Sequence, residues 1–207
     1  MGEFLHELSA EAGALTALEA VAFVLGVAYL LLVIRESVWC WPSAFISSSL
    51  FAGLFAVSRI YMDAGLQAFY AGMAVYGWWV WRSPGPSRAE LRVHRWSLQR
   101  HAAASAVIGL VSAVSGWLLA TYTDAAYPYV DSLTTFASFW ATFLVARKVM
   151  ENWYYWLVID GVSIAIYLER GLKFAALLFA VYLVLIPFGI VAWSRSMTEG
   201  STSGVPA

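Results

Sequence analysis

The chain has 207 residues, 61% hydrophobic and only 12% charged, with a formal net charge of −1. Soluble domains run about 45–50% apolar and about 25% charged, so a water-soluble globule of this length is excluded and lipid becomes the natural solvent. The small net charge by itself names no partner; the distribution of the charges says more.

A bilayer core needs about 20 apolar residues per helix, and the apolar runs fall into seven spans. The first sixteen residues hold Glu3, His6, Glu7 and Glu11 but no Lys or Arg. A secretory leader needs a basic start, so no cleaved signal is expected and residues 1–16 read as a periplasmic segment. Span one covers about Ala17–Ile34 and ends at Arg35-Glu36. Span two covers about Trp41–Val57, opened by Trp39, Trp41 and Pro42, and proline costs little at a helix start. Span three covers about Leu66–Trp81 and closes on Trp78, Trp79 and Trp81, an interfacial aromatic belt.

Residues 83–101 form the long polar loop, with turn chemistry at Ser83-Pro84-Gly85-Pro86 and Arg88, Arg92, Arg95 and Arg100. Span four, about Ala102–Tyr122, reads as a linker helix. Span five covers about Leu133–Ala146 and ends at Arg147-Lys148, span six about Trp153–Leu168, and span seven about Phe174–Trp193. The tail, 196–207, is rich in Ser, Thr and Gly and is expected to be disordered. Cys40 is the only cysteine, so no intrachain disulfide can form.

An odd number of spans puts the ends on opposite sides. With the N-terminus outside, the inside segments carry nine Lys and Arg residues and the outside segments three. The positive-inside rule then sets N-out, C-in.

A weak repeat runs at a constant offset of 112. Val33, Arg35 and Trp41 match Val145, Arg147 and Trp153, while Tyr70, Gly77 and Trp81 match Tyr182, Gly189 and Trp193. The expected fold is all-α, with three helices (17–82), a linker helix (102–122) and three more (131–195). One extra span lets the two halves run parallel, a known transporter plan with the substrate between halves.

Asp160 is the most informative residue. A carboxylate at mid-span costs ~2.5–3.5 kcal/mol on insertion scales and usually faces the bundle interior or a watery path. It reads as a contact to substrate or ion; the competing reading is a helix-packing hydrogen bond. The offset places Ser48 at the related position. Trp153, Trp156 and Asp160 share one helix face, with Asn152 just ahead. Indole faces attract cations, so a flat aromatic cation suits this stripe, although an interfacial belt also uses Trp. In span three, Gln67 and Tyr70 fall at helical spacing. The candidate substrate contacts are therefore Gln67, Tyr70, Trp153, Trp156, Asp160, Asn152 and Ser48.

No span carries Lys, Arg or His well inside it, which argues against a phosphorylated substrate. There is no Walker motif, no metal-ligand spacing and no nucleophile–His–acid set. Neither an enzyme nor a cofactor-bearing protein is expected. The partners expected are a small molecule and membrane lipid, with no nucleic acid; homo-oligomerisation is left open.

Leu144 to Trp156, with Arg147-Lys148, Glu151-Asn152-Trp153 and Trp156, resembles the "ARK…ENW..W" signature of the nicotinamide riboside transporter (PnuC) family. Trp39-Cys40-Trp41-Pro42 with Ile46-Ser47-Ser48, and Leu66 to Tyr70 running on to Trp81, are similar to its second- and third-span motifs. The motifs lie in order over about residues 18–195. The resemblance implies a 3+1+3 fold similar to SWEET sugar carriers and facilitated diffusion of an unphosphorylated vitamin, trapped by a cytoplasmic kinase. It also implies that Trp153, Trp156, Asp160 and Gln67 line the path. Some nicotinamide riboside carriers have Asn where Asp160 and Ala74 stand. Relatives resembling thiamine, riboflavin or deoxynucleoside carriers widen the substrate choice; an ionised Asp160 favours the cationic vitamins, nicotinamide riboside before thiamine.

Overall fold

The computed structural model describes residues 17–57, 61–82, 92–169 and 173–202. Among them are seven helices: α1 (Ala17–Ile34), α2 (Cys40–Val57), α3 (Tyr61–Arg82), α4 (Leu98–Tyr122), α5 (Pro128–Ala146), α6 (Asn152–Glu169) and α7 (Lys173–Thr202). No strand occurs among the described residues; an isolated parallel bridge joins His94 to Val149.

All seven expected spans are helices, but several boundaries differ. Helix α3 begins at Tyr61, and α4 at Leu98, where Ser97 is the extended residue preceding the helix. The residues added at these starts include no proline to stop a helix. Helix α5 starts at Pro128, whose fixed φ and missing N–H suit the first turn. The tail expected to be disordered is helical through Thr202. Thr198 hydroxyl donates to the Ser194 carbonyl at 3.0 Å and Met197 packs on the core, so residues 196–199 extend a helix that already exists. Residues 1–16, 58–60, 83–91 with Arg88, 170–172 and 203–207 lie outside the described residues.

Neighbour packing runs from α1 to α2, α3, α5, α6, α7 and back to α1, a closed ring of six helices. Helix α4 stands outside it, packed on α5. That contact is made by small residues. A side chain at Gly116 would come within 2.9 Å of the Tyr129 Cα, and the Ser132 hydroxyl donates to Ser115 Oγ at 3.2 Å. Small residues let helix backbones approach where lipid supplies no hydrophobic drive between helices. Elsewhere α4 turns Val107, Leu110, Val114, Trp117 and Leu118 outward. This apolar jacket would be a liability in water and fits hydrocarbon. By length and apolarity alone, α4 and the Ala176–Glu199 part of α7 suffice to cross a membrane.

The offset of 112 recurs in the backbone. At the end of α1, Glu36 N–H donates to Val33 O and Ser37 N–H to Leu32 O, both at 2.9 Å. At the end of α5, Lys148 N–H donates to Val145 O at 3.0 Å and Val149 N–H to Leu144 O at 2.9 Å. These are two Schellman ends. Their left-handed residues, Glu36 (φ 51°) and Lys148 (φ 53°), are the positive-φ non-glycine residues of the described backbone. Two short turns of one design thus reverse the chain into α2 and α6.

Helix packing follows the same offset. The Trp41 ring lies on Gly77 and the Trp153 ring on Gly189, in contacts that leave no room for a Cβ. Trp41 meets Trp81 edge to face with centroids 5.4 Å apart, and Trp153 meets Trp193 at the same 5.4 Å.

Candidate substrate site

Helix α6 aims one face inward. Trp153, Ile159, Asp160 and Ser163 are buried, whereas Tyr154, Leu157 and Val158 are exposed. Asp160 keeps 3% of its surface, and its Oδ1 has no hydrogen-bond partner in the structure. It is the one buried residue of charged type among the described residues.

Helix α6 packs on α5 and α7, yet Asp160 lies close enough to act electrostatically on Tyr70 of α3 as well as on Tyr182 of α7. Its side chain lies on the buried face of α6. Tyr29 of α1 is in turn close to both Tyr70 and Tyr182. Buried Ser138 of α5 lies beside Tyr70. On α2, Ser47 and Ser48 are buried, and the Ser47 hydroxyl donates to the Ala22 carbonyl at 2.7 Å. Each of the six ring helices thus contributes a polar side chain toward this region, a carboxylate among phenols and hydroxyls.

The offset relates Tyr70 to Tyr182 and Ser138 to Gly26. The Tyr182 hydroxyl sits 3.0 Å from the point where a Gly26 Cβ would be, and Ser47 Oγ is 3.5 Å from that point. Where one half sets a serine beside its tyrosine, the other sets a glycine.

The candidate residues divide between two places. Asp160 is buried on α6 with its charge felt at Tyr70 of α3, and Ser48 is buried on α2 at the related position. Gln67 is half-buried one helical turn from Tyr70. Trp156 is partly buried and packs against the core cluster. Trp153 and Asn152 lie at the packed end of α6. Trp153 fills the Gly189 notch and retains 1% of its surface, and the Asn152 amide donates to the Val149 carbonyl at 2.7 Å. Tyr29, Ser138 and Tyr182 were not singled out from the sequence. The match of Tyr70 with Tyr182 at the repeat offset was the available signal.

Two grooves of about 410 Å³ lie elsewhere. One is apolar, between α4 and α5 beside Val111, Phe139 and Trp140; the other is bounded by Trp39, Trp78 and Arg82. Neither touches Asp160. Grooves of apolar lining on the outer surface are what lipid chains fill, so the chemistry of Asp160 and its neighbours outweighs their size in locating the site.

The model of the nicotinamide mononucleotide transporter family matches residues 16–195. The chain belongs to this family. It is 27% identical over 197 residues to the riboflavin/roseoflavin transporter RibM of Streptomyces davaonensis, with 91% of each chain covered. It is 26% identical over 208 residues to the nicotinamide riboside transporter PnuC of Escherichia coli, covering 88% of this chain and 87% of the relative. The crystal structure of the vitamin B3 transporter PnuC superposes with a TM-score of 0.73 at 20% identity, covering 95% of this chain and 90% of that one. This member of the nicotinamide mononucleotide transporter family is therefore a membrane protein with the helical fold of PnuC. RibM and the Escherichia coli PnuC are named for different vitamins, so membership of the family leaves the choice of substrate to the site.

Proposed function

We propose that this protein carries an unphosphorylated aromatic vitamin with a fixed positive ring, nicotinamide riboside first and thiamine second, into the cytoplasm across a bacterial inner membrane. The observation that carries the reading is the lone buried Asp160, on the buried face of α6 with Oδ1 unpartnered. A desolvated carboxylate is costly without a countercharge. A pyridinium or thiazolium ring provides that charge, and the surrounding aromatic faces favour a cation further. The absence of buried Lys and Arg among the described residues argues against a phosphate ester, despite the mononucleotide in the family's name.

Transport is by facilitated diffusion in this reading. A potential of about 100 mV favours entry of a monovalent cation by ~2.3 kcal/mol. A cytoplasmic kinase then removes the free vitamin and keeps the gradient inward. The architecture is a 3+1+3 parallel repeat similar to the SWEET carriers. The N-terminus is periplasmic and the C-terminus cytoplasmic, supported by the nine-to-three charge asymmetry.

The 27% identity to RibM favours a second reading, riboflavin uptake. In that case Asp160 holds a proton and donates it to a carbonyl of the neutral ring system. Flux into proteoliposomes under competition separates the two. Radiolabelled nicotinamide riboside should enter saturably and be displaced by its unlabelled form far better than by riboflavin. Displacement in the opposite order makes the riboflavin reading correct, and no saturable flux of either removes the proposal.

A further inference from the structure

The end of the ring that carries the α1–α2 and α5–α6 turns is sealed. Four indoles stand in two edge-to-face pairs, Trp41–Trp81 and Trp153–Trp193. The Trp81 N–H donates to the Ala146 carbonyl at 3.0 Å and the Trp193 N–H to the Val33 carbonyl at 2.9 Å. Each half therefore reaches over to the end of the other half's first helix. Between them Lys148 Nζ donates to Glu36 Oε2 at 2.7 Å. Lys148 also lies 4.6 Å from the Trp81 ring centroid.

Residues 36 and 148 are mates under the offset of 112, and a position that contacts its own mate lies where the axis relating the halves passes. The same charge at both positions would repel there. This chain has opposite charges, so the site of greatest potential repulsion holds an attraction. Apolar contact between the halves is non-directional, whereas a charge-assisted hydrogen bond fixes one register. The pair also stays partly exposed, with 13% and 20% of the two side chains accessible. Water is thus at hand to solvate both groups when they separate, and parting them avoids the desolvation trap of a dry pair.

We propose that the Glu36–Lys148 ion pair is the latch of a gate at this end of the ring, closed in this structure and parted when solute passes. The proposal rests on the transport reading above. It is distinct from the Asp160 site, which lies deeper and uses other residues.

The chain carries its own reporter. Cys40, the only cysteine, is fully buried within the sealed layer, close enough to Lys148 to feel its charge. The rate at which a small maleimide labels Cys40 in the full-length protein measures how often the gate opens. Glu36→Gln and Lys148→Met should each label at least about tenfold faster than the native protein, because a local opening equilibrium sets the rate. The exchanged pair, Glu36→Lys with Lys148→Glu, should restore protection. Trp193 stands to position 36 as Trp81 stands to position 148, so the swapped lysine finds an equivalent indole.

Native-like protection in both single variants overturns the latch, as does an exchanged pair that labels as fast as either. Labelling needs no transport. Unchanged labelling with normal uptake removes the latch and leaves the transporter; the expected labelling with no vitamin flux does the reverse.

Discussion

Glu36 and Lys148 stand 112 residues apart in the chain and 2.7 Å apart in space. Both have left-handed backbone, and both follow the same pair of Schellman hydrogen bonds. Left-handed φ costs a non-glycine residue on the order of 1 kcal/mol. The two turns thus share one backbone geometry at matched positions, and their side chains meet.

The Trp–Gly notches carry packing energy that can be measured. Gly77→Ala places a methyl group inside the Trp41 ring, and Gly189→Ala does so at Trp153. An indole in a helix interface has little room to retreat, so each variant should lose about 1–3 kcal/mol of stability and melt earlier in detergent. Trp41→Phe in the Gly77→Ala background should recover part of the loss. Unchanged melting in both single variants would mean the notches are looser than described.

Glu151 fastens the segment before α4 to the α5–α6 turn. It accepts from the Trp96 backbone N–H at 3.3 Å and lies 3.7 Å from Arg95 Nη1 and 3.6 Å from His101 Nε2. The bridge through His94 adds two backbone bonds, His94 N–H to Lys148 O and Met150 N–H to His94 O. Glu151→Gln keeps an acceptor but loses the charge, and hydrogen bonds to charged groups contribute about 1.5–3 kcal/mol. Hydrogen exchange at the His94 and Met150 amides should accelerate roughly tenfold or more. Unaltered exchange would show that the bridge alone holds the segment.

Orientation is open to a direct check. In a Cys40→Ser background, Arg147→Cys and Asp124→Cys place thiols at exposed positions at opposite ends of α5 and α4. An impermeant reagent should reach position 147 only from the cytoplasm and position 124 only from the periplasm. The reverse pattern would invert the topology.

The helices were legible because mid-bilayer residues must be apolar, and seven such runs survive in the sequence. The matching Trp–Gly–Trp contacts were legible at the offset of 112 because Trp and Gly do not match by chance as aliphatic residues do. What those residues do was less legible. Trp153 reads as a substrate contact because it shares a face with Asp160, but its ring is committed to Gly189, thirty-six residues on, and no local spacing reports that contact. Tyr29 and Ser138 were missed for a related reason. On a helix apolar all round, periodicity carries no contrast between the face toward lipid and the face toward the ring, so only three-dimensional packing shows which polar residues converge. The helical extension at 196–202 was hidden by composition, since Ser and Thr favour loops in isolation but follow a helix already nucleated.

The claim that Asp160 exists to meet a positive charge is tested most directly by affinity for nicotinamide riboside against its dihydro form, which keeps the shape and loses the ring charge. The native protein should bind the charged form at least tenfold more tightly, since each 1.4 kcal/mol is about tenfold and leaving a buried charge unpaired costs about 2–5 kcal/mol. Asp160→Asn should bring the two affinities together. Equal binding of both forms by the native protein would contradict the account.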